Sequence, residues 1–316
     1  MASPKAATMA AMVIHQAGGL ESLKLQQWPK PVASIGQVLI RVKALGLNRS
    51  EIFTRQGHSP GVKFPRVLGI EAVGLVEESP GGEFKKGDVV ATAMGGMGRD
   101  FDGGYATYTC VPASQVQVIK PRISWEQLGS LPEMMQTAWG SLFKSLQLKR
   151  DDSLLIRGGT TSIGLAAAAL AKKREAMLLA NRANEVFIDN GSIADEVRKR
   201  HPEGLSKILD LVGVTILEDT LNCATEHGIV CVTGIAGGKW IIDNFDPHII
   251  HNTGCLTTYS NTPQKFMATP LNEIAQLVAE GTLKIPIKTF RLDQIVQGHV
   301  AMDENTAGAN IIVVLV

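Results

Sequence analysis

The chain has 316 residues, 45% of them hydrophobic and 19% charged, with a formal net charge of +1. That length suggests two domains at roughly 100–200 residues each, and the near-zero charge argues against a nucleic-acid or membrane-surface partner. The four cysteines, Cys110, Cys223, Cys231 and Cys255, form no C-x-x-C pair, and no apolar run reaches the roughly 18–20 residues of a membrane span, so a reduced cytoplasmic protein is expected.

The first third reads as β-rich. Val38, Ile40, Val42 and Ala44 alternate with polar residues that include Arg41 and Lys43, the period of a half-buried strand. Residues 73–77 read as a strand interrupted by Gly74, Gly87-Asp88 as a turn into residues 89–91, and 105–111 as a further short strand. Near Ser124 the pattern changes: Ser124-Trp125-Glu126-Gln127 fits a capping box, and residues 133–145 have helical spacing.

The next segment carries the densest signal. Leu154-Leu155-Ile156 runs into Arg157-Gly158-Gly159-Thr160-Thr161-Ser162-Ile163-Gly164 and then an alanine-rich stretch. A strand, a glycine turn and a helix start aim backbone N–H groups and a helix dipole at a pyrophosphate. From there β and α segments alternate, with strands at 208–212 and 229–234 around a helix from Thr215 to near Gly228, as in a parallel sheet covered by helices. Thr269-Pro270 opens a helix stopping at Gly281, a helix spans about 293–303, and a last strand runs over 311–316.

One part of the pattern is short. The strand that should follow the glycine-loop helix has no plain counterpart, because residues 170–181 read as helix and 184–189 then as strand. The fold expected is α/β: a small barrel-like β-rich domain, GroES-like only by what a family resemblance implies, plus a Rossmann-type doubly wound domain lacking or truncating its second strand. A rival alignment makes 176–180 that strand and Arg182 the phosphate-binding residue. The expected divisions are 1–124, 125–266 and a 267–316 segment that returns to the first domain.

An ordered series of segments carries a resemblance: Gly46-Leu47-Asn48-Arg49, Pro65 to Glu71, Lys86 to Val90, Gly103 to Ala106, Gln136 to Trp139, Gly158 to Gly164, and Glu304 to Gly308 before Ile311. The chain resembles the medium-chain dehydrogenase/reductases, in the zinc-independent quinone oxidoreductase (ζ-crystallin-like) branch. Zinc-dependent relatives carry cysteine and a Gly-His-Glu where this chain has Asn48 and Ile70, and a tetrahedral zinc site needs thiolate and imidazole. No metal is expected. His248 and His251 stand three apart, the spacing of half a metal site on a helix, with no third ligand in view.

The resemblance implies an NADPH-dependent reductase passing hydride to a quinone or activated enone, and a homodimer. It puts Asn48 near the nicotinamide ribose or the substrate carbonyl, against the plain reading of a turn asparagine. Phe53 stands where relatives often have a tyrosine, so it lines the site or the core and the proton comes from water. Cofactor contacts are implied at Thr137, Gly158, Gly159, Thr160, Ser162, Ile163, Gly164, Gly234, Gly237 and Asn310. An enoyl reductase of a biosynthetic pathway remains an alternative. So do a cofactor-impaired binding or structural protein and a chain abbreviated by splicing.

Overall fold

The computed structural model describes residues 7–173, 177–179, 185–304 and 306–315. The chain forms two compact units, Met1–Glu133 with Thr262–Val316, and Met134–Asn261. No helix among the described residues is long and apolar enough to cross a membrane.

The first unit begins with β1 (Thr8–Ile14), β2 (Lys24–Pro29), β3 (Gln37–Gly46), α1 (Arg49–Arg55), β4 (Arg66–Val67), β5 (Glu71–Glu78), β6 (Val89–Ala93), β7 (Tyr108–Pro112), β8 (Val116–Val118) and α2 (Trp125–Gly129). Strand β1 pairs with β2 and β4. Strand β3 is the hub of the larger sheet, antiparallel to β5 and β7. Its alternation is real: Val38, Ile40, Val42 and Ala44 are buried while Arg41 is exposed. The capping box of α2 forms as expected, with Ser124 Oγ accepting from the Gln127 N–H at 3.2 Å and Gln127 Oε1 accepting from the Ser124 N–H at 3.1 Å. The strand expected over 105–111 starts only at Tyr108, because Tyr105 turns its ring into the core.

The second unit opens within α3 (Pro132–Gly140), which runs into a π-helical turn at Ser141–Ser145. Next come β9 (Ser153–Arg157), α4 (Ser162–Lys173), β10 (Met177–Leu179), α5 (Ala194–Arg200), β11 (Leu205–Asp210), α6 (Leu217–Asn222), β12 (Ala224–Val232) and β13 (Cys255–Thr258). The five strands form a parallel sheet in the order β10-β9-β11-β12-β13. The chain then returns to the first unit through α7 (Pro263–Ala268), α8 (Leu271–Ala279), β14 (Ile287–Arg291), α9 (Ile295–Asp303) and β15 (Asn310–Val314), and β15 pairs with β3.

Three expectations are corrected in the second unit. The helix read over 170–181 ends at Lys173, and residues 177–179 pair with Ser153 to Leu155 as a three-residue strand, within the 176–180 of the rival reading. Ala, Lys, Glu, Met and Leu favour helix, but a ladder along the open edge of β9 overrides that small preference. Arg182 and residues 180–184 lie outside the described residues. Residues 185–189, expected as a strand, form none: Val186 and Ile188 are exposed, and Asp189 turns to an ion pair. The helix expected up to Gly228 stops at Asn222 because Ala224 already pairs with Leu205. Residues 225–228 then bulge, with His227 at φ 60°, before pairing resumes at Ile229.

That ion pair organises the unit. Arg157, at the end of β9, has a fully buried side chain. Its Nε and Nη2 donate to Asp189 at 2.9 and 2.7 Å, and Nη1 donates to Asp219 at 2.6 Å and to Thr220 Oγ1 at 3.0 Å. Asp219 also accepts from the N–H groups of Ile193 and Ala194 at the start of α5. One guanidinium thus ties β9, the segment before α5 and α6 together. Replacing Arg157 by Met leaves two carboxylates without their cation and should cost about 3 kcal/mol. Urea unfolding measures this, and a loss near zero would contradict the staple.

Candidate functional site

The glycine loop joins β9 to α4 through a tight turn. Gly158 has φ 75°, a left-handed conformation that suits glycine. Its carbonyl accepts from the Thr161 N–H at 3.0 Å and from the Thr161 hydroxyl at 2.8 Å. Thr161 Oγ1 in turn accepts from the Gly164 N–H at 3.1 Å, so Thr161 caps the helix. A Cβ at Gly164 would lie 2.5 Å from the Gly158 oxygen and 2.7 Å from the Gly159 Cα. The helix therefore presses its first turn directly onto the loop. The N–H groups of Ser162 and Ile163 stand in that first turn, where an α-helix offers them no internal partner and where its dipole is positive.

A cavity of ≈ 380 Å³ opens beside this turn, within the size range of ligand sites. Gly158, Gly159 and Thr160 form one wall, Phe187, Ile193 and Val212 give apolar surface, and Asp189 adds a carboxylate. The cradle and the cavity fit the pyrophosphate and adenosine end of a dinucleotide. Gly234 and Gly237 follow β12, where the N–H of Gly237 donates to the Val212 carbonyl at 2.9 Å, beside one wall of the cavity. A Cβ at Gly234 would sit 2.0 Å from the Leu211 oxygen, which excludes any other residue. Thr137 is buried in α3 and accepts from Asn261 Nδ2 at 2.6 Å.

The first unit holds a second polar cluster, buried where apolar side chains would be expected. Asn48 stands at the N-terminus of α1. Its backbone N–H donates to Glu51 Oε2 at 2.7 Å, and its Nδ2 donates to Glu71 Oε1 at 2.8 Å. The N–H of Ile70 reaches Glu51 Oε1 at 2.9 Å, and the N–H of Glu133 reaches Glu71 Oε2 at 2.9 Å. The Tyr105 hydroxyl bridges Glu51 and, at 3.0 Å, His299 Nε2. Arg55, also buried, pairs with Asp303 at 3.1 Å.

Burial without a neighbouring cation at hydrogen-bond range shapes the acidity of these groups. Burial pushes Glu51 up to about 7, and burial with the Glu133 charge pushes Glu71 up to about 8. Burial raises Tyr105 well above its ordinary range, and burial with the Arg55 charge lowers His299 to about 3.

Of the remaining predicted positions, Phe53 is half-buried and tilted against His58 at 6.4 Å between ring centroids. Asn310 is buried and donates to the Ser130 carbonyl at 3.2 Å, so its Nδ2 is used within the first unit. His248 is exposed and paired with Asp246. Among the described residues no group of three His, Cys, Asp or Glu could hold a metal ion. Asn48 and Ile70 offer an amide already engaged with Glu71 and a hydrocarbon, so the donor set does not fit zinc. Sequence reasoning passed over Glu51, Glu71, Tyr105 and His299. The available signal was two carboxylates placed among residues of apolar spacing.

Residues 34–121 match the alcohol dehydrogenase GroES-like domain, and residues 182–313 match the zinc-binding dehydrogenase family. The quinone oxidoreductase of Lama guanicoe is 26% identical over 97% of both chains. The chain belongs to the quinone oxidoreductase branch of the medium-chain dehydrogenase/reductases. In fold it is similar to the Pseudomonas syringae quinone oxidoreductase, with a TM-score of 0.87 and 21% identity over 97% of this chain and 99% of that one. It is likewise similar to the Escherichia coli quinone oxidoreductase complexed with NADPH, with a TM-score of 0.86 and 20% identity over 96% and 99%. Membership of this branch makes the chain an oxidoreductase.

Two measurements probe the site. Gly164→Ala forces the loop and helix apart and should weaken dinucleotide binding at least about tenfold in a fluorescence titration, about 1.4 kcal/mol. Unchanged affinity would show that the cradle is not used. The second is stability against pH. Folded Glu51 and Glu71 keep their protons to about 7 and about 8, whereas the unfolded chain loses them near the ordinary 4.5. The folded state then binds more protons, so stability falls as pH rises. His299, lowered from 6.5, gives the opposite slope only below 6.5. Unfolding free energy should therefore fall between 6.5 and about 8, and Glu71→Gln should flatten the fall. A rise across that window would contradict the buried-carboxyl account.

Proposed function

We propose that the chain is an NADPH-dependent, zinc-independent oxidoreductase that delivers hydride to a quinone or an activated enone. The observation that carries the reading is the glycine loop: the methyl-free contact at Gly164 brings the first turn of α4 onto Gly158 and Gly159, beside a cavity of ≈ 380 Å³. Relatives complexed with NADPH support the choice of cofactor.

When bound, the dihydronicotinamide supplies the hydride. The protein's part is to hold and to orient. The N–H groups at the start of α4 and the Gly159–Thr160 turn receive the pyrophosphate. Apolar Phe187, Ile193 and Val212 shelter the adenosine end. Asn48 offers an amide to a ribose hydroxyl or to the substrate carbonyl, held by its bond to Glu71. Phe53 has no exchangeable proton, so the proton that follows hydride comes from water. Glu71, Glu51 and Asn48 supply no thiolate or imidazole, and no step requires a metal Lewis acid.

The test is NADPH consumption followed with a simple quinone and with an α,β-unsaturated ketone, in the presence and absence of a metal chelator. The expected result is chelator-insensitive consumption with at least one acceptor. Activity lost to chelator and restored by zinc would overturn the metal-free assignment. Absence of binding by both NADPH and NADH would overturn the function.

A further inference from the structure

We propose that Phe187 and Arg200 form the base-recognition element of the cavity beside the glycine loop. The adenine stacks on the inner side of the Phe187 ring. Arg200, seated on the outer face, is the positioning residue that holds that ring in place. The inference rests on the dinucleotide reading of the cavity and names what grips its base.

Residues 185–189 belong to no helix or strand, so no hydrogen-bond ladder orients their side chains. Val186 and Ile188 are exposed, yet Phe187 between them is half-buried and packs against the core cluster of Leu155, Ile193 and Val197. The guanidinium carbon of Arg200, in the last turn of α5, lies 4.7 Å from the Phe187 ring centroid. The same guanidinium reaches Glu185 Oε2 at 3.5 Å and pairs with Glu196, one turn earlier on α5. At the far end of the segment, Asp189 is held by Arg157. Residues 185–189 are thus clamped at both ends by arginines from other elements, and Phe187 stands between the clamps.

Arg200 covers one face of the ring, so what Phe187 gives to the cavity is its other side. Val212 and Ile216 extend the apolar wall. Such a wall with an aromatic platform takes a flat ring. With the pyrophosphate on the first turn of α4, the flat group that reaches this wall is the adenine. A cation on the outer face draws on the negative quadrupole of the ring, which leaves the inner side a better partner for an electron-rich purine. Arg200 therefore acts on the base through Phe187, without touching it.

The probe is adenosine monophosphate, titrated into the full chain by calorimetry and by fluorescence. Phe187→Ala should weaken binding about tenfold, the scale of one lost base–aromatic stack, and Phe187→Trp should keep it. In Phe187→Trp, the emission gained over the native tryptophans should be quenched by the nucleotide and not by ribose phosphate. Arg200→Met should weaken the nucleotide about threefold and reduce that quenching, and Arg200→Lys should restore both by returning a cation to the ring. Native affinity in Phe187→Ala, or no binding by the native chain, overturns the proposal. So does unquenched emission in Phe187→Trp at saturating nucleotide, which does not depend on Phe187→Ala folding. Quenching in a chain that consumes NADPH with neither acceptor supports the stack and removes the reductase reading alone.

Discussion

A methyl group at Gly164 would lie 2.5 Å from the Gly158 carbonyl oxygen, and the second unit is arranged around that contact. Because the contact exists, α4 begins directly on the turn that ends β9, and its N-terminal amides converge on one point. Thr161 closes the turn twice, by donating to Gly158 and by accepting from Gly164, which stiffens the loop without a ligand. Just before the loop, the buried Arg157 guanidinium draws in Asp189 and Asp219. The strand end, the loop and the cavity wall are thereby tied to one another. A pyrophosphate site needs such preorganisation, because each amide left to order on binding subtracts from affinity.

The first unit solves a different problem. It buries Glu51 and Glu71 with hydrogen bonds from Asn48, Tyr105 and the backbone of Ile70 and Glu133. Burying ionised carboxylates this way would be costly, and the physical escape is protonation near neutrality. The same chemistry that relieves the cost makes the cluster responsive to pH. An amide and two carboxyls occupy the Asn48–Glu71 corner.

How much of this was legible in the sequence differs by element. The β3 alternation, the Ser124 capping box and the Gly158–Gly164 turn were readable because each is a local pattern with a local cause. The stretch after Lys173 was misread for a physical reason. Helix propensity speaks for residues 170–181, but the open edge of β9 supplies a strand partner that no local window contains. The helix expected to reach Gly228 failed likewise, since the pairing of Ala224 with Leu205 is nonlocal. The Glu51–Tyr105–His299 chain joins residues up to 248 positions apart in chain from Glu51 to His299, and no spacing rule connects them. Asp189 was read as the end of a strand, and only the structure shows it gripping Arg157.

A structure of the chain with reduced cofactor tests the central claim most directly. The pyrophosphate should lie within hydrogen-bond reach of the backbone N–H groups from Gly159 to Ile163, with the adenosine end in the cavity walled by Phe187 and Val212. A dinucleotide bound elsewhere, or an empty loop at saturating cofactor, would contradict the account.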